Sequence, residues 1–200
     1  ADVTELEEFR KRVGVEHEKR GGGKLTLLSF VIRAITAGLK EAPSFNASLD
    51  PLREELIYKK FYNIGFAADT GRGLVVPVIS DTDKKSIGEI SRELQQKAEL
   101  ARDGKLPLEE MQGGTFTITN VGPLGGTALI PTINYPEVAI LGMGRVQEKP
   151  VVRNGEIVIR KMLPLTLAFD HRVSDGADAA RFVSELIRWL SDPKQLLLDI

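Results

Sequence analysis

The chain has 200 residues, with 27 Lys and Arg against 28 Asp and Glu, so its net charge is −1 at neutral pH. That balance gives no broad electrostatic case for nucleic acid or an anionic membrane as partner, and 42% apolar with 28% charged residues is an ordinary globular composition. The absence of cysteine excludes disulfides, a thiolate nucleophile and cysteine-ligated metal, and suits a reducing compartment.

In chain order, Thr4 and Glu7 read as a capping box opening a first helix. Leu6, Phe9 and Val13 share one face of that helix, which ends near Lys19 before Gly21–Gly23. His17, in the run E-H-E-K-R, reads as solvated surface. A second helix spans roughly Thr26–Glu41 and stops at Pro43. Its apolar run within Leu25–Leu39 is interrupted by Thr26, Ser29, Arg33 and Thr36, which makes it a core helix and not a membrane span. Strand-like runs follow at Tyr58–Ala68 and Leu74–Ser80. Ser86 and Glu89 form a capping box for a helix reaching about Arg102. Strands are expected at Thr115–Thr119 and Val138–Gly142. Val151–Arg153 and Glu156–Arg160 flank Asn154-Gly155, the signature of a two-residue hairpin turn. A strand over Leu163–Phe169 precedes a helix with Ala177, Ala180, Phe182, Val183, Leu186, Ile187 and Leu190 in helical period, capped by Asp175. Strands and helices mix without strict alternation, which predicts a single α/β domain: a two-layer sandwich with a mixed sheet.

The pairs Gly113-Gly114 and Gly125-Gly126 fit neither the phosphate-loop nor the dinucleotide signature. They read as turns and close backbone approach. Two distant histidines have no metal-ligand spacing. No secretory signal or lipidation motif is visible.

The block Asp170–Gly176, D-H-R-V-S-D-G, joins the last strand to the last long helix. It places His171 on a strand-to-helix turn, where a side chain is both exposed and held. Imidazole is the side chain that titrates near neutral pH without help, so His171 is the candidate acid–base group. The plainer alternative is a histidine that only bonds the turn backbone. Flanking Asp170, Arg172 and Asp175 weigh against it, because charges at a strand end are costly unless paired or at work.

Four blocks carry a wider resemblance: N-I-G-F-A-A-D-T-G-R-G-L-V-V-P-V-I (Asn63–Ile79), G-G-T-F-T-I-T-N-V-G-P-L-G-G-T (Gly113–Thr127), P-E-V-A-I-L-G-M-G (Pro136–Gly144) and D-H-R-V-S-D-G-A (Asp170–Ala177). In this order and spacing they resemble the catalytic domain of the dihydrolipoamide acyltransferases, the core components of the 2-oxo acid dehydrogenase complexes. The resemblance covers essentially all of the chain. It implies a chloramphenicol acetyltransferase-like sandwich, and transfer of an acyl group between a lipoyl thiol and coenzyme A. It also implies a homotrimer building a cubic or dodecahedral core, with decarboxylase and dihydrolipoamide dehydrogenase as partner components. The implied compartment is the cytoplasm, or the mitochondrial matrix in a eukaryote. Nucleic acid, membrane and metal have no part in it. The lipoyl and subunit-binding domains of such proteins, and an N-terminal segment of the catalytic domain, are expected to lie outside these 200 residues. Alternatives on the same fold are an inactive structural core and a free-standing acetyltransferase. A lipoyl domain in the full-length gene product would separate them.

By resemblance His171 is the general base that takes the thiol proton, and Thr119 in T-I-T-N is the hydroxyl donor to the oxyanion. Read without the resemblance, Thr119 is an ordinary strand threonine. Asp175 is implied as a support residue that steadies the turn through an arginine, with Arg172 as the local candidate. Coenzyme A contacts are implied at Arg10, Thr26, Asp69, Asn120 and Gly144, while Ala98 and Pro123 replace polar residues of some members. Arg10 also reads as a solvated surface arginine. The G-G-T and P-E-V-A segments are closer to acetyl and branched-chain members than to succinyl members. Trimer contacts are expected of two apolar segments, Thr127–Tyr135 and Leu196-Leu197-Leu198.

Overall fold

The computed structural model describes residues 1–198, with side chains through Leu196. Helices α1 (Thr4–Lys19), α2 (Leu27–Glu41), α3 (Ile87–Arg102), α4 (Gly176–Ser191) and α5 (Pro193–Leu198) surround one apolar core with eleven strands. Five strands form the main sheet: β3 (Ile64–Phe66), β6 (Val78–Ile79), β7 (Phe116–Asn120), β8 (Ala139–Met143) and β11 (Leu165–Phe169). Their order is β11-β8-β7-β3-β6, with β7 parallel to both β3 and β8 and the two edge strands antiparallel. The rest form antiparallel pairs: β1 (Ala47–Asp50) with β2 (Glu55–Tyr58), β4 (Ala68–Thr70) with β5 (Gly73–Val75), and β9 (Gln147–Arg153) with β10 (Glu156–Met162). This is the expected mixed-sheet α/β architecture.

Alternation along the strands explains the layers. Phe116, Ile118, Ala139, Leu141, Met143, Ile64 and Phe66 all join the helix-side core, with Phe30 and Ile35 of α2 and Phe182, Leu186 and Leu190 of α4. Phe182 stacks between Phe45 and Phe116, at centroid distances of 5.0 and 5.9 Å. The opposite face presents Thr117, Thr119, Ile140 and Gly142, and residues 127–136 lie across it without helix or strand.

Three helix starts follow the sequence: Thr26 accepts from the Ser29 amide, Asp175 accepts from the Asp178 amide, and Ser86 and Glu89 form a reciprocal capping box. The hairpin turn also follows it, with Asn154 and Gly155 both left-handed at φ 52° and 83°.

Several expectations are corrected. Thr4 and Glu7 form no capping box, and Val3 is the N-cap of α1. The Thr4 hydroxyl donates to Asp2 (2.7 Å) and accepts from the Lys161 amide (2.8 Å), while Glu7 pairs with Arg10. The run Tyr58–Ala68 is not one strand, because Asn63 ties three segments together instead. Its side chain accepts from the Asp81 amide and donates to the Gly113 carbonyl, and its amide donates to the Thr115 hydroxyl. Leu74–Ser80 likewise divides into β5 and β6, and β1 was not anticipated. His17 is not solvated: its ring packs between Gly22 and Gly88, where a Cβ would sit 2.2 and 2.8 Å from ring atoms. Leu196, expected at a contact between chains, is buried in this chain's own core. The Leu197 and Leu198 side chains lie outside the described residues.

Candidate active site

The turn after β11 is built by Asp170. Its amide donates to the Val138 carbonyl (2.8 Å), extending the β11–β8 ladder by one residue, and its carbonyl accepts from the Val173 and Ser174 amides. Its carboxylate accepts from the Arg172 amide and from Arg172 Nε and Nη2, at 2.6–3.2 Å. These donors hold the Asp170 carboxyl below the usual range, the Arg172 guanidinium foremost. The turn is therefore closed without His171. The imidazole lies exposed against the Phe169 ring at 5.6 Å, and among the described residues neither ring nitrogen has a hydrogen-bond partner. The turn-backbone alternative does not describe this histidine.

Asp175 caps α4, and its carboxyl is lowered chiefly by the Asp178 amide; burial opposes this, and the Ala177 amide and the charges of Arg181 and His171 add smaller downward effects. It does not pair with Arg172, whose guanidinium is already held by Asp170.

Thr119 lies elsewhere. In the β7–β8 register it stands beside Gly142, near the C-terminal end of β8, whereas Asp170 stands beside Val138 before β8 begins. The two positions differ by four residues along β8 and by two strand spacings across it. That amounts to about 13 Å by about 10 Å, or about 16 Å between Thr119 and the His171 turn. One chain does not bring the two side chains together. The Thr119 hydroxyl, half-buried, also has no hydrogen-bond partner among the described residues.

On the helix side of the sheet, past the end of β7, lies a cavity of about 480 Å³ that Thr119, on the opposite face, does not line. Thr26 at the start of α2, Asp69 on β4 and Asn120 at the end of β7 all line it, and so do Ala98 and Pro123. A neighbouring cavity of about 230 Å³ is lined by Gly144 and shares Leu27, Asn120 and Pro123 with the first. A side chain at Gly144 has no room, since its Cβ would stand 2.7 Å from the Thr127 carbonyl oxygen. Arg10 is apart from this group. It holds Glu7 through two 2.9 Å bonds and donates to the Leu25 carbonyl at 3.0 Å, and it is not among the residues that line these two cavities. Sequence reasoning missed Gln95, Glu99 and Arg102, which give the cavity a polar wall. Their spacing on α3 was the available signal, with 95, 99 and 102 falling on one helical face.

The mixed sheet covered by helices, with a histidine after its edge strand, is an α/β sandwich of a class that solved acyltransferases share. Chloramphenicol acetyltransferase shares it at a TM-score of 0.55 and 15% identity, covering 88% of this chain and 81% of that one, a likeness of fold alone. Residues 1–198 match the family model of the 2-oxoacid dehydrogenases acyltransferase catalytic domain, and the chain belongs to that family. It is 53% identical over 198 residues to the dihydrolipoyllysine-residue acetyltransferase component of the pyruvate dehydrogenase complex of Cupriavidus necator, and 48% identical to that of Bacillus subtilis. These matches cover 99% of this chain but only 35% and 45% of the two relatives, so the chain spans less than half their length. Among solved structures, the cubic core of a pyruvate dehydrogenase multienzyme complex superposes at a TM-score of 0.94 with 47% identity, covering 98% of this chain and 81% of that one. A truncated catalytic core of the 2-oxoacid dehydrogenase complex from Thermoplasma acidophilum superposes at 0.85 with 45% identity, covering 96% and 84%.

Proposed function

We propose that this chain transfers an acyl group between a lipoyl thiol and coenzyme A, at sites that two copies of the chain build together. The observation that carries this reading is the separation of His171 from Thr119. His171 is exposed and Thr119 half-buried, neither side chain has a hydrogen-bond partner among the described residues, and they stand at opposite ends of β8. A second copy placing its His171 turn at the Thr119 end would complete the pair.

In the complete site His171 takes the proton from the coenzyme A thiol as sulfur attacks the thioester carbonyl of the acylated lipoyl group. A thiol is mostly protonated at neutral pH while the thiolate is the nucleophile, so a positioned base contributes roughly 10²–10⁴ in rate. The electron pair of the carbonyl moves to oxygen, where the Thr119 hydroxyl donates to it. Collapse re-forms the carbonyl and expels the lipoyl sulfur, which takes the proton back from His171. Thr26, Asp69 and Asn120 line one cavity past the end of β7, and Asn120 and Gly144 line its neighbour; we assign coenzyme A to this space, within reach of the Thr119 end of the strand. Asp175 steadies the start of α4 below the histidine, and Arg10 supports the loop before Thr26 through the Leu25 carbonyl. The lipoyl group is supplied from outside these residues.

The assembly we propose is a trimer that builds a larger core and meets decarboxylase and dehydrogenase partners there. Ile130 and Tyr135, 93% and 82% exposed on the segment that flanks Thr119, and Leu124 beside the cavity are apolar surface fitted to such a contact. The test mixes subunits. His171→Ala and Thr119→Val, each inactive alone, are unfolded and reassembled together. Random mixing in a closed ring returns both groups to about a quarter of the sites. Mixtures as inactive as their parents overturn the two-copy site, as does a fully active monomer at micromolar concentration by sedimentation. Transfer assays with acetyl-, isobutyryl- and succinyl-CoA then decide the acyl group.

A further inference from the structure

We propose that Glu137 is a latch. Its buried carboxyl fastens residues 127–136 across the sheet beside Thr119, and loss of its proton loosens them.

The segment is attached to the helix-free face of the sheet at three places. The Thr127 carbonyl lies against Gly144, and Leu129 lies against Gly142 so closely that a Cβ there would stand 2.8 Å from the Leu129 Cγ. At the far end the Asn134 amide group reaches both the Thr117 hydroxyl (3.4 Å) and Glu137 Oε1 (3.3 Å). Gly142 is the register partner of Thr119, and Thr117 and Thr119 share that face, so the segment runs alongside the proposed oxyanion donor.

Glu137 is 6% exposed. Its Oε1 lies where Gly114 leaves room for it, 2.8 Å from the position a Cβ would take. Its Oε2 is buried without a hydrogen-bond partner. An ionised carboxylate with one orphaned oxygen is expensive to keep inside, whereas the neutral acid is not. Burial pushes this carboxyl up to about 7, with Thr117 and Asn134 offsetting only part of the effect. No charged side chain contributes to that shift. Around it, the segment brings exposed Tyr135, and the turn after β11 brings His171 with Asp170 and Arg172 paired to each other. Beyond β6, Asp81 is paired with Lys84, and the stretch Gln112–Thr115 before β7 carries no charge. Within one copy the latch therefore answers to its own proton, and the His171→Ala variant separates this from the imidazole that a second copy would bring to the same face. Opening the segment lets Glu137 ionise in water, so opening grows as pH rises through the neutral range.

The bearing on transfer rests on the two-copy site proposed above, but the experiment reads the segment without any transfer assay. Hydrogen exchange of a peptide spanning residues 128–138 is measured at pH 6 and 8 on the assembled protein and corrected for intrinsic exchange. The Glu137 amide, which donates to the Asn134 carbonyl at 2.9 Å, is the central probe. Wild type should open about tenfold more at pH 8 than at pH 6, the ratio set by a carboxyl at about 7 when closed and at its ordinary value when open. Glu137→Gln should open equally at both, and His171→Ala should keep the wild-type rise. A flat wild-type response, or an equal rise in Glu137→Gln, overturns the latch. Should Glu137→Gln not fold, Asn134→Ala decides. Removing a donor to the carboxylate must move the rise to higher pH, and an unmoved midpoint counts against the proposal.

Discussion

Arg172 grips Asp170 with both Nε and Nη2, two residues away along the chain, and in doing so leaves Asp175 to cap α4 by itself. The histidine between them is thus carried by a turn whose two charges are spent on each other. Three neighbouring polar groups have separate duties: one closes the turn, one starts the helix, and one is left free.

Breaking that grip should act on rate more than on stability. The Arg172 side chain is exposed, and such pairs add little to folding. Arg172→Ala is expected to lower kcat for transfer about tenfold through misplacement of His171, with a melting curve close to wild type. Arg172→Lys, which cannot chelate, should fall between the two. Steady-state kinetics beside thermal denaturation checks this, and an unchanged kcat removes the positioning role.

His171→Ala is expected to lose transfer by 10² or more in rate while keeping its circular dichroism spectrum, given the roughly 10²–10⁴ that a general base supplies. A folded variant keeping more than about a tenth of the rate contradicts the assignment.

Thr119→Val should lower kcat by about 10²–10³ with KM nearly unchanged, because the donor acts on charge that exists only in the transition state. Thr119→Ser should remain active. A loss confined to KM would make Thr119 a binding residue instead.

Asp2 predicts an acid-sensitive N-terminus. Its carboxylate accepts from the Thr4 hydroxyl and from Arg153 and Arg160, each at 2.7 Å. Burial alone would raise its pKa, but the bonds from Thr4, Arg160 and Arg153 win and hold it at about 2. A depressed carboxyl contributes stability above its ordinary value and loses it as pH falls toward 2. The contribution is about 2 kcal/mol at neutral pH. Asp2→Asn should therefore melt several degrees below wild type at pH 7, and the gap should close toward pH 2. A gap that persists at pH 2 would place the effect in packing.

Gly142→Ala should press on Leu129, since its Cβ would lie 2.8 Å from that side chain. Overpacking of this kind costs about 1–3 kcal/mol. Leu129→Ala in the same chain should recover much of the loss, the signature of direct contact in a double-mutant cycle. Additive effects in denaturant unfolding would show that the two do not press on each other.

Elements whose signal is local were legible in the sequence. The capping box at Ser86 and Glu89, the Asn154-Gly155 turn and the apolar stripe of α4 each specify themselves within a few residues. What stayed hidden was set by distant partners. Thr4 and Glu7 have the spacing of a capping box, but the Thr4 hydroxyl is taken by the Lys161 amide, 157 residues on. His17 looks solvated among charges, but Gly22 covers one side of its ring and Gly88 on the distant α3 closes the other. The candidate site divides in the same way. Thr119 and the D-H-R-x-x-D-G block were marked by residue type and resemblance, whereas their separation along β8 follows from strand order, which no local pattern encodes.

On the two-copy site proposed above, that separation turns activity into a count of closed contacts. Each copy would offer a donor at one end and a base at the other, so a single chain has two halves and no whole site. Two copies joined head to tail have one whole site between them, and a ring that closes has as many as it has chains. Specific activity per chain would then rise from nothing, through one half, to its full value at the moment the last contact forms. Catalysis would report the topology of the assembly, not merely its size.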